Sequence, residues 1–277
     1  MRKLKEYLKK PLSFVMLLLI IISTVITALT VVFIIGYILI KGVPNLSPQL
    51  FSLKYSSSNQ SMLPSIINTV YLTALTLILA VPIGIFSAIY LAEYSRKNSL
   101  FVKIINVANE TLSGIPSIVY GLFGFLAFVI SKKWGYSLLA GVITLAIMVL
   151  PLIIRTSQEA MLGVDNSFRE ASYGLGAGKL RTVFKIVLPS AMPGILSGII
   201  LAIGRIVGET AALIYTAGTV PEVATKLTSS SRTISVHLYC LLNEGLYTEQ
   251  AYATAVVLII FVVIINALSN ALAKKIM

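Results

Sequence analysis

SFREASYGLGAGKLRTVFKIVLP, Ser167 to Pro189, is the stretch on which the architecture turns. Ser167 and Glu170 have capping-box spacing, which predicts a helix that starts at Ser167 with the Glu170 side chain reaching back to its amide. Gly174, Gly176 and Gly178 follow and predict a sharp turn. Beyond it, Leu180, Val183, Phe184, Val187 and Leu188 recur at helical spacing opposite Lys179, Arg181, Thr182 and Lys185, a second helix that Pro189 is expected to end. Such patterning suits a rigid helical hairpin; a surface hairpin lying on a membrane is the plainer alternative. The segment Gly174 to Lys179 mimics a phosphate-cradling loop, but Tyr173 stands where that motif needs its first Gly and Leu180 where it needs Ser or Thr. Nucleotide binding by this chain is therefore not expected.

On either side of the hairpin lie long apolar runs. The 277 residues are 57% hydrophobic and 12% charged, with mean hydropathy +0.93, far from the composition of soluble domains. A disulfide-stapled scaffold is excluded by a single cysteine, Cys240. Six runs are long enough to cross roughly 30 Å of hydrocarbon: Phe14 to Ile40, Ser65 to Ala92, Phe101 to Ile130, Ser137 to Ile154, Ala191 to Thr216, and Tyr252 to Ala273. The first follows Arg2, Lys3, Lys5, Lys9 and Lys10, yet it is too long for a cleaved signal and has no small-x-small site, so it reads as an uncleaved helix.

The net charge of +12 would suggest nucleic acid in a soluble domain, but here the basic residues sit mainly between the spans. Alternating the segments puts fifteen Lys and Arg on one side, including Arg96, Lys97, Lys103, Lys274 and Lys275, against six on the other. The richer side is the cytoplasm, so both termini and the Arg155 to Ser190 loop are expected there, with Lys41 to Pro64 and Ala217 to Ala251 outside.

Charges within the apolar runs are the candidate functional groups. Arg205 and Glu209 fall about one helical turn apart inside the fifth run, either as a self-neutralising ion pair or as groups facing an aqueous path. A guanidinium is permanently charged and its planar fork matches the oxygens of a tetrahedral oxyanion. On that reading, Glu209 holds Arg205 when no anion is present. Lys103, Asn106, Glu110, Ser113 and Ser117 are expected to form one polar stripe along the third span. Arg155 and Glu159 form an i,i+4 pair at the inner end of the fourth, either an anchor or a gate. The glycines Gly194, Gly198, Gly204 and Gly208 suit close helix packing. His237 has no companion at metal-ligand spacing, Asp165 is the chain's one Asp, and Thr233 to Leu242 reads as a short helix. No catalytic constellation emerges.

Glu170-Ala171-Ser172, three residues, Gly176, nine residues, then Ile186-Val187-Leu188-Pro189 closely resembles the EAA loop of binding-protein-dependent ABC importer permeases, with Ser172 for the second Ala as the one departure. SIINTV at Ser65, AIYLAEY at Ala88, GIPSIVYGLF at Gly114, LPLIIRT at Leu150 and GRIVGETAA at Gly204 narrow the likeness to the A-type permease subunit of the phosphate ABC importer. The likeness runs from about Ser65 to Ala273, and the first helix and its external loop carry little of it.

The resemblance implies an all-α integral membrane protein of about six spans with the type I ABC importer permease fold. Residues 1–64 would be the N-terminal transmembrane helix and external loop, 65–273 the permease domain, and about 165–189 the cytoplasmic coupling loop. Glu170, Ala171, Gly176, Leu188 and Pro189 would couple to an ATPase, and Arg205, Glu209, Arg155 and Glu110 would line the substrate path. The implied partners are a second, different permease subunit, two cytoplasmic ABC ATPases that use ATP and Mg, an external phosphate-binding protein, inorganic phosphate and membrane lipid. This chain would bind no cofactor and no nucleic acid, catalyse no reaction, and reside in the plasma membrane of a prokaryote. Permeases for sulfate or molybdate are the alternatives within the class. A secondary transporter or an intramembrane enzyme lies outside it and would leave the hairpin without a purpose.

Overall fold

The computed structural model describes residues 11–95 and 99–276. Arg2, Lys3, Lys5, Lys9, Lys10, Arg96 and Lys97, which weigh in the charge asymmetry, lie outside the described residues. The described chain is almost wholly helical: α1 (Pro11–Gly42), α2 (Leu63–Ile89), α3 (Leu100–Ser113), α4 (Ser117–Gly124), α5 (Leu138–Leu162), α6 (Asn166–Gly174), α7 (Lys179–Thr182), α8 (Leu188–Val207), α9 (Ala211–Thr216), α10 (Ile234–Glu244) and α11 (Thr248–Ile276). Wider π-helical turns extend α2 through Tyr94 and α4 through Ser131, and join α7 to α8.

Five helices are long and apolar enough to span a membrane: Leu12–Asn45, Leu63–Tyr94, Leu138–Leu162, Lys179–Val207 and Thr248–Ala271. The third expected span is not straight. Leu100–Ser113 and Ser117–Ser131 meet at 100°, because Pro116 takes an extended conformation (ψ 142°) and opens the second arm and the residue before a proline is pushed out of helical geometry. The supposed polar stripe is therefore divided, with Lys103, Asn106, Glu110 and Ser113 on α3 and Ser117 starting α4.

The fifth run is likewise broken, in the opposite sense to expectation. Pro189 does not end a helix: Lys179 to Val207 is continuous, since the wider π turn Val183–Val187 just before it loosens the hydrogen-bond ladder where the proline ring needs room and has no amide to donate. The break comes later, at Gly208 to Thr210, before the six-residue α9.

Packing centres on α5, which lies between α2 and α8. Leu72, Leu145, Met148, Val149, Ile153, Ile206 and Leu213 form the main core, and Ala88, Ile89, Met161, Val183, Val187, Ala191 and Ile195 a second one toward the hairpin. Lipid is as apolar as these side chains, so close approach through small residues matters most. Gly198 lies against Thr156, Gly194 against Ala160, and Gly84 against Ile153. The first helix differs: its most apolar stretch buries nothing and it packs against α11.

At the end of the bundle away from the hairpin, residues 217–233 fold over the starts of α2 and α5. Asn68 donates to the Glu222 and Arg232 carbonyls (2.8 and 3.3 Å) and accepts from the Ala224 amide (2.9 Å), and Thr69 accepts from the Ile234 amide (2.9 Å). The expected short helix near Thr233 is present as α10, capped by Thr233 and with His237 fully buried.

Candidate functional site

Two regions hold the singled-out residues: a pair of recesses among the long helices, one around Arg205 and one around Arg155, and the helical hairpin. Arg205 sits in the last turn of α8 and lines a cavity of about 650 Å³ with Ser197, Gly204, Leu152, Asn266 and Asn270. Among the described residues the ion pairs are Arg155–Glu159 and Arg169–Glu93, so Arg205 is not held by Glu209. That expectation fails because the helix breaks between them. Glu209 turns away, 8% exposed, and its carboxylate accepts from the Ala212 amide at 3.0 Å, a favourable place for an anion at the start of α9.

Asn266 and Asn270 escaped the sequence reading. The last run stays apolar enough to cross a membrane in spite of these two amides, yet their i,i+4 spacing is a usable sign that one stripe of that helix is polar. They bring amide groups to the cavity that Arg205 lines, whose other walls include the apolar Leu152, Ile200 and Leu201.

Glu110 and Arg155 do come together. With Asn106, Asn109, Gln158 and Glu159 they line a smaller recess of about 180 Å³, and Arg155 Nε donates to Glu159 at 2.9 Å with both side chains more than half exposed. Because Gly198 faces Thr156 and Gly194 faces Ala160, the antiparallel register of α5 and α8 sets Arg205 level with about Val149. The two arginines are thus about 9 Å apart along the bundle axis at 1.5 Å per residue. Arg205 lies farther from the hairpin and without a carboxylate partner, whereas Arg155, nearer the hairpin, shares its recess with Glu159 and Glu110.

The hairpin also departs from its expected cap. Asp165, two residues before Ser167, is the N-cap: its carboxylate accepts from the Ser167 amide at 2.8 Å, so Glu170 closes no capping box and is exposed. That bond holds the Asp165 carboxyl below the usual range. Of the three glycines, Gly176 alone takes a left-handed conformation, φ +82°, and the Ala177 amide bonds back to the Ser172 carbonyl at 3.1 Å across it. Ser172, the departure from the EAA pattern, is 4% exposed and shares a 2.8 Å hydrogen bond with the buried Thr182 hydroxyl. The substitution thus ties the two arms together.

Val183 and Val187 anchor the second arm in the core, whereas Leu180 and Phe184, expected on the same face, are exposed. With Phe168, Tyr173 and Leu175, the last 90% exposed, they make an apolar knob, the kind of surface that marks a docking site. Ala171, Gly176 and Pro189 are exposed on this knob and its stem, and Leu188 is half-buried. Among the described residues no group of three or more His, Cys, Asp or Glu is placed to hold a metal ion.

The model of the family described as "Binding-protein-dependent transport system inner membrane component" matches residues 80–277. A relative in Bacillus subtilis (strain 168), "Probable ABC transporter permease protein YqgI", is 32% identical over 249 residues, 83% of this chain and 84% of its own length. "Phosphate transport system permease protein PstA" of Haemophilus influenzae is 31% identical over 269 residues, 96% and 95% of the two chains. The protein of the same name in Pasteurella multocida is 34% identical over 230 residues, 82% and 81%. Among solved structures, a chain of a bacterial ABC transporter involved in alginate import superimposes with TM-score 0.68 at 18% identity, with both chains fully covered. A chain of the inward-facing MetNI methionine ABC transporter gives TM-score 0.58 at 16% identity, over 88% and 98%.

Proposed function

The chain belongs to the family of binding-protein-dependent transport system inner membrane components, and from that membership we propose that it is the membrane-spanning permease subunit of an ATP-driven importer of inorganic phosphate. The observation that carries the substrate is the Arg205 cavity: a guanidinium with no carboxylate partner, at membrane depth, beside Ser197, Asn266 and Asn270. Kinship with phosphate permeases over most of the chain points the same way. Sulfate and molybdate permeases are not favoured by those relatives, and membership of an importer family speaks against an ATPase-independent carrier.

In the proposed mechanism residues 65–273 form the permease domain and 1–64 the N-terminal transmembrane helix and external loop. The hairpin end is cytoplasmic, as are both termini. A phosphate-binding protein delivers the anion at the opposite face, formed by residues 217–233 and α10. Arg205 replaces part of the anion's hydration, and Arg155, with Glu159 and Glu110 weakening its hold, receives it nearer the cytoplasm. Weak, sequential sites favour passage over retention. Two ATPase subunits, which use ATP and Mg, receive the apolar knob through Glu170, Ala171 and Gly176, and their closure moves the α7–α8 rod through Leu188 and Pro189. A second, different permease subunit completes the path, and this chain performs no chemical step.

Uptake of labelled phosphate into vesicles carrying this chain with its co-purifying partners tests the reading. ATP-dependent, saturable uptake that excess sulfate or molybdate leaves unchanged is expected. Uptake of sulfate in its place, or uptake driven by an ion gradient without ATP, would overturn it.

A further inference from the structure

Arg169 precedes Glu170 in the hairpin and had no role in the sequence reading. Its side chain is 13% exposed and nearly every donor it has is used. Nε and Nη2 donate to Glu93 Oε1 at 3.1 and 2.6 Å. Nη2 also donates to the Met161 carbonyl at 2.8 Å, and Nη1 to the Val164 carbonyl at 2.7 Å and to Asn166 Oδ1 at 3.3 Å. Glu93, 6% exposed, lies in the π turn that ends α2, and Met161 and Val164 flank the end of α5. One guanidinium therefore joins α6 to α2 and to the backbone carbonyls at and just beyond the end of α5.

Exposed ion pairs contribute little because water competes and the side chains move. This pair is largely shielded from water, its guanidinium donates twice to one carboxylate, and the remaining donors are met by two backbone carbonyls and Asn166 Oδ1, so displacement of α6 is poorly absorbed by rotation of a side chain. A second tie lies beside it: Lys179 Nζ sits 4.9 Å from the centre of the Tyr94 ring. Beneath both, Ala88 and Ile89 of α2 pack with Met161 of α5 and with Val183 and Val187. The hairpin thus has two mechanical outputs, a covalent one into α8 and a polar one into α2 and α5.

We propose that Arg169 is a positioning residue that passes the ATPase-driven displacement of the hairpin through Glu93 to α2 and α5, so that without it ATP is hydrolysed with little phosphate moved. The inference rests on the coupling role given above to the hairpin.

The test uses the whole importer in proteoliposomes, with ATP hydrolysis and labelled phosphate uptake read from the same sample. Arg169→Gln and Glu93→Gln should retain the ATPase chains at the wild-type ratio while phosphate moved per ATP falls about tenfold, within the span of ordinary coupling free energies. Arg169→Lys should keep part of the ratio, and the double variant should be no worse than Arg169→Gln alone, because that variant already removes the contact to Glu93 together with the bonds to α5. An unchanged ratio in both single variants would overturn the proposal. So would loss of the ATPase chains from both, which would make the pair a builder of the hairpin only. If the wild-type importer moves a different solute per ATP, the substrate reading fails, while the ratio for that solute still tests the strut.

Discussion

Arg205 carries a charge at membrane depth, and such a charge persists only where water, a counter-ion or a ligand compensates it. The structure removes Glu209 from that role, since its carboxylate caps α9, and leaves the cavity of Ser197, Asn266 and Asn270 as the surroundings of the guanidinium. Arg205→Lys should keep part of phosphate uptake, because the charge survives without the planar fork, whereas Arg205→Gln should lose nearly all of it. Paired uptake assays at equal membrane levels check this. A second residue-scale prediction concerns His237, whose burial, with the Arg232 charge adding to it, pushes its imidazole down to about 3. The folded state resists protonation that the unfolded state accepts, so this contribution to stability is complete above about pH 6.5 and is lost as pH falls toward 3. In detergent, the Tm of the wild type should fall on acidification from pH 6.5 to 4 more steeply than that of His237→Leu; equal slopes would contradict the assignment. In sequence Arg205 and Glu209 read as a pair, because helical spacing carried across Gly208 sets them one turn apart, and the structure separates them by breaking the helix there. The sequence reading passed over Arg169, whose partner Glu93 is 76 positions away.

At the scale of elements, the hairpin is a turn whose shape depends on one backbone position. Gly176 has φ +82°, where a β-branched residue costs on the order of 1–2 kcal/mol, whereas Gly174 has open space for a Cβ and no such backbone. Gly176→Val should therefore lower uptake several-fold with weaker co-purification of the ATPase chains, and Gly174→Ala should leave both near wild type. The α5–α8 contact makes a further demand. A side chain at Gly198 would run into Thr156, while one at Gly204 meets nothing. Gly198→Leu should reduce stability by about 1–3 kcal/mol, the usual effect of overpacking, and Gly204→Ala should not; thermal unfolding in detergent distinguishes them. The hairpin was largely legible because caps, glycines and a 3.6-residue period are local signals. Its true N-cap was not, since Asp165 and Ser167 both suit that position and only the backbone path separates them. The bend at Pro116 was readable in principle, but apolar residues on both sides disguised two arms as one span.

For the whole molecule, composition and the count of apolar runs gave the right class, because a membrane demands long helices whatever their contacts. What they could not give is which face of each helix meets protein. The first helix shows the limit: it is as apolar as any other span, yet its central stretch buries nothing within the chain. The architecture that results is a lever, with a knob at one end, a continuous rod from Lys179 to Val207, and Arg205 at the rod's far end. The most direct test of this account is ATP-dependent uptake of labelled phosphate by the assembled importer, wild type against Arg205→Gln, with the ATPase content of each preparation measured. The account predicts saturable uptake in the wild type and its near-complete loss in a variant that retains its ATPase chains. Wild-type uptake by the Arg205→Gln importer, or uptake that does not require ATP, would contradict it.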